Sequence, residues 1–269
     1  MLVKHSENVG YNSGVVVASN YVAGSVVGIL LIVFTGGTTA DFSTLWIGLV
    51  GGILWPLPFF IMARTINALG VAIAAPLARF GLIIPVLFGL IFLGEGLSIP
   101  SWIGLFAALL AIILISPLDA NSLQHVDRQA LWLIPLMILL IGLANLWINV
   151  FNTIGLPDET YLFFTLLYIF SALFSSLAVL ARRIPIRWAA VRRGFLIGVF
   201  NFSYTYALLA SLRAPIFQNN SAIVYTLVNV GIMLTVFIAG IIIWRERVTR
   251  RNIAGVGVAV VALVLLNLG

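Results

Sequence analysis

Nine stretches of the chain are almost continuously apolar, and the polar residues between them fall in short clusters. The stretches are 13–34, 45–62, 70–93, 102–115, 130–151, 161–181, 195–210, 219–244 and 252–268, labelled segments A to I. None alternates apolar with polar positions as a barrel strand would. Most come close to the roughly 20 residues that a helix needs to cross a hydrocarbon core of about 30 Å. The pattern predicts an all-α integral membrane protein whose connections are too short to hold a soluble domain.

Two of these stretches are the same element written twice. GEGLSIPSWIGLFAALLAIILIS from Gly94 and RERVTRRNIAGVGVAVVALVLLN from Arg245 carry identical residues at Glu95/Glu246, Gly104/Gly255, Ala108/Ala259, Ala111/Ala262 and Leu114/Leu265, a constant offset of 151. Nearer the N-terminus the offset is 147, pairing Gly51 with Gly198 and Tyr21 with Tyr168, so that A and B match F and G. The second half therefore reads E, F, G, H, I and the first only A, B, C, D. The counterpart of E would fall before Met1, so nine helices are present of an expected ten, five plus five. A late-assigned start and a genuine nine-helix form both account for this, and the symmetry favours the first. The halves are drawn as a first repeat over 1–116, a linker over 117–129 and a second repeat over 130–269.

Composition sharpens the class: 62% of residues are hydrophobic, only 8% are charged and the mean hydropathy is +1.17, well beyond a soluble globule. The net charge of +6 is distributed in a telling way. With the loops placed on alternating sides, one side holds twelve basic residues: Lys4, Arg64, Arg128, Arg182, Arg183, Arg187, Arg192, Arg193, Arg245, Arg247, Arg250 and Arg251. The other holds only Arg213. The positive-inside rule makes the rich side cytoplasmic and puts the C-terminus outside a bacterial inner or plasma membrane. Five helices per half then make the repeats antiparallel, the inverted-repeat design of many secondary transporters. The cluster RRIPIRWAAVRRG reads as a topology anchor touching anionic headgroups, and nucleic acid is not an expected partner. With no cysteine, there are neither disulfides nor thiol metal sites.

Short helices in a five-plus-five plan, an acidic residue opening the last helix of each half, and a glycine nine residues later resemble the drug/metabolite transporter superfamily, its EamA-like branch above all. The resemblance covers the whole chain and rests mostly on the tail motifs at Glu95, Gly104, Glu246 and Gly255. Asn20-Tyr21 in segment A also looks like part of the pattern. The resemblance implies ten helices, a central cavity between the halves and alternating access. The chain departs from it in the helix missing before segment A. Members carry diverse solutes, among which the fold does not choose.

Arg79 lies about ten residues into segment C, so at 1.5 Å per residue about 15 Å deep, where a guanidinium is costly unless paired. Its repeat counterpart is Val230. Either it faces the cavity and binds an anionic or carboxylate-bearing solute through its planar fork of donors, or it serves carbonyls freed by Pro76 and polar neighbours. All eight acids and both histidines lie at helix ends or in loops. An exchange of protons for cationic drugs at a buried carboxylate is thereby disfavoured, and an anionic, zwitterionic or neutral metabolite is expected. Asn145, Asn149 and Asn152 form one polar stripe on E, and Ser221, Tyr225 and Asn229 form another on H. Segment G adds Asn201, Ser203, Tyr204 and Tyr206, and B adds Trp55, Phe59 and Phe60. The candidate solute-binding residues are Arg79, Asn145, Asn149, Asn201, Tyr204, Tyr225, Asn229 and Trp55. Hydrogen bonding between helices is the alternative for each polar one. The small-residue faces of D and I suit scaffold packing or a homodimer contact, and Glu95 and Glu246 read as structural charges beside helix starts. No catalytic constellation, cofactor or metal site is expected. The reading is a permease for a small polar metabolite, with a non-transporting membrane subunit or lipid-linked flippase component as the alternative.

Overall fold

A computed structural model describes residues 12–35, 41–115, 130–217, 220–244 and 248–268. The described residues are almost entirely helical. The helices are α1 (Ser13–Thr35), α2 (Phe42–Leu54), α3 (Leu57–Leu69), α4 (Val71–Ala78), α5 (Ile83–Phe92), α6 (Ile99–Ile115), α7 (Leu133–Ile154), α8 (Thr160–Ala181), α9 (Trp188–Leu212), α10 (Ser221–Trp244) and α11 (Arg250–Asn267). Among the described residues, seven spans are long and apolar enough to cross a membrane, α2 with α3 and α4 with α5 each contributing one; α6, at 17 residues, falls short. Helices answer the solvent: hydrocarbon offers no hydrogen bonds, so each backbone group must be satisfied within its own segment. The exposed large side chains are overwhelmingly apolar, among them Ile91, Phe106, Leu177 and Phe200, as a lipid-facing surface requires. The chain is an integral membrane protein.

Segments B and C, each a single apolar run, are broken helices. Between α2 and α3 the Phe59 amide turns from the Trp55 carbonyl to that of Pro56, which also accepts the regular helical bond from Phe60. Between α4 and α5, residues Arg79–Leu82 form a turn of 3-10 helix. Pro76 lies before this turn and Pro85 after it, and the missing N–H of Pro85 deprives the Gly81 carbonyl of its regular donor. The linker 117–129 and Glu246 lie outside the described residues.

The helices form two compact units. The first takes Met1–Arg64 and Trp147–Ala210; the second takes Thr65–Leu146 and Ser211–Gly269. Each unit therefore draws helices from both halves of the sequence, and the chain passes between units within α3, α7 and α9.

In the first unit α8 packs along α1 and α2. The glycines make this possible. A Cβ at Gly198 would overlap the Asn20 carbonyl oxygen and lie 2.6 Å from Ala23 Cβ. A Cβ at Gly51 would come within 3.1 Å of Leu167, and one at Gly52 would overlap Phe170. Leu167 and Phe170 are the counterparts, at an offset of 147, of Asn20 and Ala23. The α1–α9 seam is thus rebuilt from corresponding positions as the α8–α2 seam.

In the second unit α6 packs along α11 through Ala108, Ala111, Ala259 and Ala262, with Ile115 and Val230 completing the cluster. A Cβ at Gly104 would sit 2.9 Å from Leu266, and one at Gly255 2.9 Å from Ile115. Leu266 is the counterpart of Ile115 at an offset of 151. Each glycine meets the counterpart of the other's partner, which two helices do when they pack antiparallel about a local two-fold axis. Such close contact between small residues is a main source of helix adhesion in lipid, where apolar burial gives none.

Candidate functional site

The predicted site residues divide between the units: Trp55, Asn149, Asn201 and Tyr204 lie in the first, and Arg79, Asn145, Tyr225 and Asn229 in the second.

In the first unit the structure joins into one polar core residues that the sequence named only separately, Asn201 and Trp55 as candidate site residues and Asn20-Tyr21 as part of the family pattern. Asn201 Nδ2 donates to Asn20 Oδ1 at 3.3 Å. One turn on, Thr205 Oγ1 donates to the Asn201 carbonyl at 2.7 Å and shares a 3.1 Å hydrogen bond with Tyr168 OH. Tyr168 faces its own counterpart, Tyr21, with ring centroids 5.8 Å apart. The Tyr21 hydroxyl donates to the Trp55 carbonyl at 2.9 Å. Asn20, Tyr21, Tyr168 and Thr205 are all buried, whereas Asn201 is half-buried.

The hydroxyls have a structural cause. The Gly52 carbonyl has no donor from Pro56 and accepts from Ser171 Oγ at 3.1 Å. The Trp55 carbonyl, passed over by the turned amide of Phe59, is the one Tyr21 satisfies. Trp55 is 7% exposed, so its indole packs in the core and its visible contribution is this carbonyl. Asn149 is fully buried and partnered. Tyr204 is 38% exposed. Tyr206 stacks on Tyr161 with centroids 5.6 Å apart, their hydroxyls 3.4 Å from each other. Ser203 returns its hydroxyl to the Val199 carbonyl.

At one end of this unit, Glu159 Oε1 accepts from the Asp41 amide at 2.9 Å, and the residue is 3% exposed. Asp41 caps α2, and the Ser43 hydroxyl, helped by the Phe42 amide, holds its carboxyl below the usual carboxylate range.

In the second unit, Tyr225 OH donates to the Asn145 carbonyl at 2.8 Å, tying α10 to α7. Asn229 Nδ2 donates back to the Tyr225 carbonyl at 2.9 Å. The two predicted stripes therefore meet at this pair, although part of their hydrogen-bonding capacity goes to backbone. Arg79 opens the 3-10 turn, half-buried and partnered. Glu95 lies near the start of its own helix, α6, yet its Oε2 accepts from Ser221 Oγ at 2.9 Å and from the Ala222 amide at 3.3 Å. The carboxylate thus serves the first turn of α10, where unpaired amides and the helix dipole favour negative charge. Gly104 and Gly255 lie in the α6–α11 seam, as the small-residue pattern leads one to expect.

The sequence reading missed Asn20, Tyr168, Thr205 and Ser171 as parts of one network. The signal available was the identity of Tyr21 and Tyr168 across the repeat, which marks a matched pair without showing that its members touch.

The family described as Sugar transport protein matches residues 13–268. An uncharacterized protein of Haemophilus influenzae is 23% identical over 217 residues, covering 76% of this chain and 69% of that protein. A solved crystal structure resembles the fold with a TM-score of 0.72 at 15% identity, over 96% of this chain and 90% of the other.

Proposed function

We propose that this chain, which belongs to the sugar transport protein family, carries a small polar solute, neutral and rich in hydroxyls, across the bilayer by alternating access. The family is one of membrane transporters and not an enzyme class. The observation that carries the reading is the break at Arg79–Leu82. Irregular backbone within a membrane span is tolerated where it is buried in protein or lines a water-filled cavity, and discontinuous helices are where transporters place their solutes. The same unit holds side chains suited to hydroxyls: Arg79 in the turn itself, and Asn145, Tyr225 and Asn229 on α7 and α10. The inverted-repeat plan and kinship with EamA-like transporters are part of the proposal. The reciprocal contacts of Gly104 and Gly255 in one unit, and of Gly198 and Gly51 in the other, support them. So does the excess of arginine on one set of loops, which sets the basic side in the cytoplasm.

The test is thermal stabilisation of the purified full-length protein by D-glucose, D-galactose, D-xylose, D-mannitol and a set of sugar phosphates and carboxylates. A bound solute raises the melting temperature by mass action. Stabilisation by neutral sugars supports the reading. An effect confined to the anionic solutes and lost in Arg79→Ala would replace it with an anion carrier. No effect from any solute would favour the non-transporting subunit.

A further inference from the structure

We propose that Asn20 and Asn201 form a hydroxyl-binding clamp for the transported solute, an inference that rests on the sugar-carrying reading above. The first unit supplies its own control, because the seam between α1 and α9 is built a second time between α8 and α2. Where the first seam has Asn20 and Asn201, the corresponding positions of the second are Leu167 and Leu54. Leu167 is fully buried and packs beside Gly51 much as Asn20 packs beside Gly198. The scaffold therefore closes the second seam with a leucine where the first has Asn20, and has no need of an amide there.

The amides carry a cost. Asn20 is 2% exposed, and its Nδ2 is buried with no hydrogen-bond partner. Exchanging the oxygen and nitrogen of that amide would set its donor against the Asn201 donor and orphan the oxygen instead. An unpaired polar group in so apolar a setting is unfavourable, because the water it gave up is not replaced. The single bond it makes, at 3.3 Å, lies beyond the usual N–H···O range. Adhesion between helices does not explain a pair that leaves half of one amide unsatisfied.

A vicinal diol does. One hydroxyl oxygen accepts from Asn20 Nδ2 while the neighbouring O–H donates to the amide oxygen of half-buried Asn201. Neutral hydroxylated solutes match this alternation of donor and acceptor; carboxylates and phosphates, which only accept, match half of it. Nδ2 is covered in this conformation, so the solute engages it when α1 and α9 part.

The experiment measures melting temperature and sugar affinity together for Asn20→Leu, Asn201→Leu and the double variant, with Asn20→Ala alongside, against D-glucose, D-galactose, D-xylose and D-mannitol. The expected result is a solute-free melting temperature equal to or above wild type, with affinity weakened on the order of tenfold or more, the loss of one good polar contact. Lower stability with unchanged affinity would overturn the clamp and make the pair structural. A leucine variant that fails to fold would also overturn it, unless Asn20→Ala folds and loses binding. Should wild type bind none of the four sugars, the sugar-carrying reading falls and takes the clamp with it. Should wild type bind and the variants bind equally, only the clamp falls.

Discussion

The broken helix between α2 and α3 offers the cleanest test of how this protein satisfies its backbone inside lipid. Pro56 cannot donate to the Gly52 carbonyl, and Ser171 Oγ, fully buried on α8, occupies that carbonyl at 3.1 Å. Ser171→Ala leaves a buried carbonyl unpaired, a loss of about 1–3 kcal/mol by the general rule for buried polar groups. Cycles in another membrane protein average about 0.6 and reach about 1.7 kcal/mol, so about 1 kcal/mol is expected here. Pro56→Ala restores an amide one helical turn beyond Gly52 and gives that carbonyl a second donor. In the Pro56→Ala background the cost of Ser171→Ala should therefore fall towards zero, a coupling of about 1 kcal/mol. The assay is equilibrium unfolding in mixed micelles with increasing SDS, for wild type, both single variants and the double. Equal costs of Ser171→Ala in the two backgrounds would refute the reasoning, because the hydroxyl would then not be compensating for the proline.

Three further expectations follow from particular contacts. Gly198→Ala pushes a methyl into the Asn20 carbonyl, a backbone atom that cannot swing aside, and should destabilise by about 1–3 kcal/mol or more; Gly257, with open space where a Cβ would stand, should accept alanine with no loss and gain up to about 1 kcal/mol of helix propensity. The same unfolding assay ranks the two, and similar effects would contradict the packing described. Glu95→Ala removes the carboxylate from Ser221 and Ala222 and should cost about 1–2 kcal/mol, as losing a helix cap does; hydrogen exchange should rise first in the opening turn of α10, and a rise confined to α6 would show the charge serving its own helix. Asp41, held low by Ser43 and Phe42, gives the start of α2 a stabilisation that is complete above the ordinary carboxylate range and lost as pH falls through its lowered value. Carboxyl NMR titration of Ser43→Ala should show the Asp41 pKa rising towards that range, and an unchanged value would remove the hydroxyl as the cause.

Much of this protein is decided by composition along the chain. A run of about 20 apolar residues must become a helix in lipid, because nothing else there satisfies its backbone. The repeat was equally legible: glycine and alanine at fixed register mark where helices approach, and both Gly104 and Gly255 lie in such a seam. Arg79 could be singled out because a charge at that depth has few excuses. The breaks within segments B and C were less legible, since proline in a membrane helix is tolerated in a straight helix as readily as in a broken one. The partners of polar atoms were not legible at all. Asn201 meets Asn20 from 181 positions away, and Glu95 serves Ser221 from 126 away, on a helix other than its own. Hydropathy reports only whether a side chain avoids water, a property of one residue in one solvent. Which donor meets which acceptor depends on which helix faces are pressed together, and that was settled only when α1 packed against α9 and α5 against α10.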